Sequence, residues 1–262
     1  MTASAASPLA VLGSGTLTAY WRFQRAVAKA QLAAWLPARQ SRIVDISGPR
    51  SGSAAQAAAA GHRVVRVAWA GHSTGTAARA GGAGRHGKVA TVAAEAASLA
   101  CLADGCADRV IADDSTLSRH LMAEDVATEI ARVLRPGGSL LASVDSLVLG
   151  MAILAEQHHW AHLTDLPHAE VVLIPWPDGS ITRCFGVAQF RDLLTEAGLE
   201  ACWVRPRTVL SPSTVDHILE QDPGAIRRLV RAELAAGAEE PADPGSGDSF
   251  GIHLVATASK PC

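Results

Sequence analysis

The stretch VDISGPRSG, Val44 to Gly52, sets Asp45 at the end of an apolar run and just before an alanine-rich segment, AAQAAAA. A strand, a tight turn and a helix in that order make a place to hold a charged cofactor. A second group, Asp113-Asp114-Ser115, closes the run DRVIA. An acid there orients an acceptor amine or hydroxyl; alternatively, Asp or Ser caps a helix. Asp145 ends a later run, SLLASVD, and is read the same way. A third group is Glu156-Gln157-His158-His159-Trp160-Ala161-His162. On a helix, His158 and His162 lie four apart and share a face. The histidines, His159 included, then offer a base that titrates near neutrality, a metal site, or a solvated, hydrogen-bonded cluster.

These groups need elements to position them. TLTAYWRFQRAVAKAQLAAWL, from about Thr16 to Leu36, reads as an amphipathic helix stopped by Pro37. RIVDIS, SAAQAAAAG and HRVVRVAWA then read as strand, helix and strand, one βαβ unit. KVATVAA and DRVIADD read as two further strands. AEDVATEIARVL is an amphipathic helix ending at RPGG, followed by the strand SLLASVD. One helix is expected across LVLGMAILAEQHHWA, and a hairpin across EVVLIPWPDGSITRCF around Pro177-Asp178-Gly179. VAQFRDLLTEAGL (helix), EACWVRPR (strand), two more helices and GIHLVATAS (strand) complete the chain. Strands apolar almost throughout, alternating with helices, imply a mostly parallel sheet covered on both faces. Such a sheet binds ligands beyond the carboxyl ends of its strands. Gly71 to Lys88 and Ala238 to Ser249, rich in Gly, Pro or small polar residues, are expected to be mobile.

The 262 residues are 48% hydrophobic and 18% charged, which suits a globular chain with a sizeable core. A net charge of −2 offers no footprint for a nucleic acid or a membrane surface. Five scattered cysteines, with no C-x-x-C pair, fit a reduced, cytoplasmic setting better than a disulfide framework or a zinc site. The absence of Lys or Arg before Arg22 argues against a signal peptide. The apolar run Leu147 to Ala155 is too short to span a bilayer. Gly13-Ser14-Gly15 suggests a dinucleotide turn, but Thr18 stands where the third glycine belongs. Tyr20, Trp21 and Arg22 follow in the same segment.

Three segments in order resemble the class I S-adenosylmethionine-dependent methyltransferases of the small-molecule branch: DGCAD from Asp104, EIARVLRPGGSLL from Glu129, and LLTEAGLE ending at Glu200. The resemblance runs from about Arg42 to Lys260. It implies a single α/β domain of Rossmann-like architecture, a seven-stranded sheet in the order 3-2-1-4-5-7-6, and an antiparallel last strand. Residues 1–40 are then a helical lid and 41–262 the methyltransferase-like domain, with a hairpin insertion at about 168–185 and a helical insertion at about 211–236.

The family pattern D-x-G-x-G-x-G puts its glycines on Ser47, Pro49 and Ser51, all replaced, with Gly48 and Gly52 out of register by one. Glycine there supplies positive φ and close backbone approach, and Pro49 also removes an N–H donor. Asp45 matches the aspartate that holds the cofactor's amino group, and the following helix would aim its N-terminus at the ligand carboxylate. The acid that binds the ribose is replaced by Ala68. Trp69 either stacks on adenine or packs in the core. Glu95 is the nearest acid after strand three, and Asp113 borders the same site. The resemblance implies S-adenosylmethionine as cofactor, bound weakly, by other groups, or no longer. It implies methyl transfer to a small organic acceptor, with His158, His159, His162 and Asp114 as candidate catalytic groups. No metal, nucleic-acid or membrane partner is implied, and a homodimer is a possible assembly. The alternative is the same fold without methyl transfer: a binding or regulatory subunit, or a pocket reused for another reaction.

Overall fold

The computed structural model describes residues 18–48, 51–69, 89–95, 97–166, 169–176, 179–237 and 251–262. The Gly13–Gly15 turn, Pro49, and the two segments expected to be mobile, 71–88 and 238–249, lie outside the described residues.

Five parallel strands build one half of the sheet. β1 (Arg42–Asp45) lies between β2 (Arg63–Trp69) and β4 (Ala107–Ala112). β3 (Val89–Ala94) pairs with β2, and β5 (Leu134–Ser146) with β4. β9 (His253–Ser259) runs antiparallel beside β5, and β8 (Glu200–Pro206) antiparallel beside β9. The order β3-β2-β1-β4-β5-β9-β8 is the one expected. The hairpin also forms, from β6 (Val172–Pro175) and β7 (Ile181–Phe185). It is more than an insertion: β7 joins the end of β5 in parallel through Asp145–Cys184 and Ser146–Phe185, so the sheet has nine strands among the described residues.

The apolar runs explain why this sheet is covered twice. Successive strand residues point to opposite faces, and here both faces are dry. Val44, Val110, Leu140 and Ala256 join one core, with α3 (Ala123–Val133) and α6 (Val187–Glu196). Their neighbours Ile43, Ile111, Leu141 and Val255 join another, with α2 (Ser53–Ala59) and Leu32 of α1 (Thr18–Trp35). The other side of α1 packs Tyr20, Phe23 and Val27 against Val215 and Leu219 of α7 (Pro212–Gln221) and the start of α8 (Ile226–Ala236). The late helices therefore buttress the N-terminal one.

The single helix expected across LVLGMAILAEQHHWA is two: α4 (Leu147–Glu156) and α5 (Trp160–Asp165). His158 takes a left-handed φ of 57°. The His159 N–H then bonds the Leu154 carbonyl at 2.8 Å and the His158 N–H that of Ala155 at 3.0 Å, closing a Schellman motif. No helix among the described residues is long and apolar enough to cross a membrane.

The RPGG stretch opens β5 directly after α3. Gly137 sits at φ 71° and donates its N–H to the Lys260 carbonyl; the Lys260 N–H donates to the Gly138 carbonyl, and its ammonium caps the Ala131 and Leu134 carbonyls. A Cβ on Gly138 would stand 2.8 Å from the Arg135 carbonyl oxygen and 3.2 Å from that of Asp108. Both are backbone atoms, so Gly138→Ala is expected to cost about 1–3 kcal/mol by overpacking. Urea unfolding checks this through a lowered midpoint at unchanged slope.

Candidate functional site

A cavity of about 660 Å³ opens beyond the carboxyl ends of β1, β4 and β5, under α1. Trp21, Gln24, Arg25 and Lys29 come down from α1; Gly52 and Gln56 come from the loop and α2. Asp113, Asp114 and Arg119 follow β4; Asp145 ends β5; Arg207 follows β8; His253 opens β9.

The loop after β1 has rebuilt itself around Asp45. That residue is 2% exposed, and both carboxylate oxygens are taken within the loop. Oδ1 accepts the Ser47 N–H at 2.9 Å, and Oδ2 accepts the Ser53 hydroxyl at 2.5 Å. Ser51 donates to the Ser53 hydroxyl at 2.6 Å, and Ser47 Oγ accepts the Asp113 N–H at 2.9 Å. Two of the residues standing in for glycine are thus structural hydroxyls. Burial pushes the Asp45 carboxyl above its ordinary range, with the Ser47 and Ser53 bonds acting against that rise. Asp45 therefore faces its own loop and not the cavity, contrary to the expected role on the cofactor's amino group. Gly52 supplies the positive φ, 69°, and begins α2. The helix has only seven residues, too short for the anion site expected at its N-terminus.

Trp69 is a packing residue. Its Nε1 donates to the Ile46 carbonyl at 3.1 Å and its ring meets His120 edge-on at 4.7 Å, leaving 6% exposed. Ala68 pairs with Ala93 and brings no acid, and Glu95 is exposed just past β3. The histidine trio is corrected in the same way. His158, His159 and His162 are exposed and absent from the cavity wall; the helix breaks at His158, so the face expected for His158 and His162 does not form, and His159 and His162 meet edge-on at 5.9 Å instead. Among the described residues, no group of three His, Cys, Asp or Glu could hold a metal ion.

The acids after β4 do reach the cavity. Asp113 accepts from Arg207 at 2.5 Å and from the Ser143 hydroxyl at 2.8 Å. Burial alone would raise its carboxyl; Arg207, Ser143, the Asp114 backbone and His253 outweigh that and hold it below the usual carboxylate range. Asp114 and Ser115 take left-handed φ values of 58° and 52° in succession. Such conformations cost about 1–3 kcal/mol each and persist where the surroundings fix them. Here Ser115 N–H bonds Ser143 Oγ, and the Thr116 hydroxyl bonds the Ile46 and Asp113 carbonyls.

Two wall residues had not been singled out from sequence, His253 and Arg207. His253 Nε2 lies 3.3 Å from Asp145 Oδ1, and its Nδ1 lies 3.4 Å from Gln24 Nε2. The Asp145 carboxylate thus faces Nε2 and the Gln24 side-chain amide faces Nδ1. A ring so held can take a proton at Nδ1 once Gln24 gives way. The signal was a histidine at the mouth end of an otherwise apolar strand, GIHLVATAS. Arg207 sits likewise just past EACWVRP.

Sheet order, cavity position and the loop after β1 define the class I methyltransferase fold. Residues 44–142 match the family model described as a methyltransferase domain. Among solved structures, the chain is similar to an S-adenosylmethionine-dependent methyltransferase from Methanosarcina mazei: TM-score 0.57, 17% identity, 88% of this chain and 97% of that one covered. It is also similar to 1,6-didemethyltoxoflavin-N1-methyltransferase of Burkholderia thailandensis, solved with 1,6-didemethyltoxoflavin and S-adenosylhomocysteine: TM-score 0.56, 20% identity, coverage 100% and 94%. A third likeness is to the 4+2 cyclase SpnF: TM-score 0.53, 20% identity, coverage 92% and 80%. At these identities the structural likenesses speak to the fold. Among curated protein sequences none matches the chain. Residues 44–142 thus match the methyltransferase-domain family, and the fold is that of the class I S-adenosylmethionine-dependent methyltransferases.

Proposed function

We propose that this protein transfers a methyl group from S-adenosylmethionine to a small organic acceptor held in the cavity under α1. The observation that carries the reading is the His253–Asp145 pair on the wall of a cavity at the carboxyl ends of β4 and β5. The cofactor supplies an electrophilic methyl group on a sulfonium. The residues fit its approach in part: Gly48 has no side chain at the turn, and Asp114 and Arg119 stand above it. The chain's own work is positioning and proton removal. Trp21 and Leu149 give the acceptor apolar wall, and Gln24 yields its place at Nδ1 to an acceptor hydroxyl or amine. His253 takes that proton, and Asp145 holds the imidazolium in orientation.

The first test is calorimetry with S-adenosylhomocysteine on the full chain. Measurable heat at millimolar ligand or below is expected, and none would end the reading. Ala68→Asp is expected to tighten binding about tenfold, by giving the ribose hydroxyls a charged acceptor worth about 1.5–3 kcal/mol.

A second reading keeps the fold without methyl transfer. It rests on Asp45, whose carboxylate is consumed by Ser47 and Ser53, and on the missing acid at Ala68. The likeness to a cyclase on the same fold supports it. Silence in the calorimeter from both wild type and Ala68→Asp would favour it.

A further inference from the structure

Gly48 lies in the turn after β1, and two charged residues of the cavity wall, Asp114 and Arg119, rest on it. A Cβ built there would overlap both Arg119 Nη1 and Asp114 Oδ2. The two side chains form an ion pair at 3.1 Å, each about a quarter exposed. The pair is not a good hydrogen bond: Asp114 Oδ2 is buried and has no hydrogen-bond donor, although the guanidinium is near. A buried carboxylate oxygen left in that state is a standing acceptor. The backbone that aims it is strained, with Asp114 and Ser115 both left-handed, and is fixed by Ser143 and Thr116. The other acids do not compete. Asp113 is taken by Arg207 and Ser143, Asp45 by its loop, and Asp145 faces His253.

An anion and a cation side by side over Gly48, which has no side chain, are the complement of an α-amino acid. We propose that Asp114 and Arg119 form an exchange site for such a zwitterion, Asp114 receiving the ammonium and Arg119 the carboxylate. This rests on the methyltransferase reading, in which the zwitterion is the methionine end of the cofactor. In the free protein the two groups neutralise each other. With ligand they part, one imperfect pair becomes two charge-assisted ones, and no net charge is buried. The site also accounts for the altered loop. Ser47 and Ser51 turn their hydroxyls inward to Asp113, Asp45 and Ser53, so the binding work passes to the turn after β4.

The test is calorimetry on the full chain with S-adenosylhomocysteine and with 5′-methylthioadenosine. The second keeps the nucleoside and thioether but lacks the amino-acid end. Wild type is expected to bind S-adenosylhomocysteine the more tightly. Arg119→Gln and Asp114→Asn should each weaken S-adenosylhomocysteine about ten- to a hundredfold and leave methylthioadenosine within about threefold. Asparagine is chosen at 114 because it tolerates left-handed φ, and unchanged melting confirms the fold. Gly48→Ala, whose methyl must push the pair aside, should act in the same direction. Equal loss for both ligands, no loss for either, or wild-type affinities that do not differ would overturn the exchange site while leaving the methyltransferase reading intact. A wild type that binds neither ligand would overturn both.

Discussion

Arg207→Met is expected to destabilise the protein by about 3–5 kcal/mol, the cost of leaving a buried charge without its partner. Arg207 is 4% exposed, and its guanidinium lies 2.5 Å from Asp113 Oδ1. Methionine matches the aliphatic stem, so the loss isolates the charge. Ser143 remains on Asp113 but is neutral. Arg207 also ties β8 to β9 through its N–H on the His253 carbonyl, a main-chain bond that the substitution keeps. If the cost is electrostatic, adding Asp113→Asn to Arg207→Met should recover most of it, since removing both charges of a buried pair is often near neutral. The pH dependence has a definite sign. The folded carboxyl of Asp113 is held below its ordinary range, so its stabilisation is present above the unfolded value near 3.9 and fades as pH falls through the folded value. Wild type and Arg207→Met should therefore differ most at neutral pH and converge below about pH 4. Urea midpoints at pH 7 and pH 3 measure both. A gap under about 0.5 kcal/mol at pH 7 would show that the pair carries nothing beyond a surface substitution.

The sheet was legible because its strands are short, apolar on both faces and separated by helices of the right period. Ile43 and Val44, or Ile111 and Ala112, leave no other arrangement than a strand buried twice. EIARVLRPGG was legible for a local reason: helix, left-handed Gly137 and strand follow one another within a few residues. The hairpin was visible too, but not its docking on β5, which depends on where β5 ends in space. The histidine trio failed on a single torsion. Nothing in EQHHWAH announces that His158 will adopt positive φ, and one such residue moves His162 off the face of its neighbour. The working polar wall was hidden for the opposite reason. Gln24, Asp113, Asp145, Arg207 and His253 are scattered over most of the chain, and only β8 and β9 folding back beside β5 bring them together. The serines of VDISGPRSG looked like losses because a glycine pattern records what was there. Their bonds to Asp45, Ser53 and Asp113 record what replaced it.

That replacement fixes what removing Asp45 must do. An Asp45 that only faced a ligand could be truncated with the fold intact, and binding alone would suffer. The structure instead makes it the acceptor for the Ser47 N–H and the Ser53 hydroxyl in a nearly solvent-free site. Asp45→Ala strands both donors, each at about 1–3 kcal/mol, so a loss of about 2–6 kcal/mol is expected. Binding of S-adenosylhomocysteine should go with it, because the freed loop no longer sets Gly48 beneath Asp114 and Arg119. Asp45→Asn separates charge from hydrogen bonding. It keeps one acceptor and carries no charge, so it should cost less than alanine. The folded carboxyl of Asp45 is raised by burial, so its stabilising contribution is present below the unfolded value near 3.9 and lost as pH rises through the folded value. The difference between wild type and Asp45→Asn should accordingly shift in favour of asparagine from about pH 4 upward, the reverse of the trend at Arg207. Chemical unfolding across pH, paired with calorimetry on the same variants, measures both effects. An Asp45→Ala protein that stays within about 0.5 kcal/mol of wild type but no longer binds would return the carboxylate to the ligand and take it from the loop.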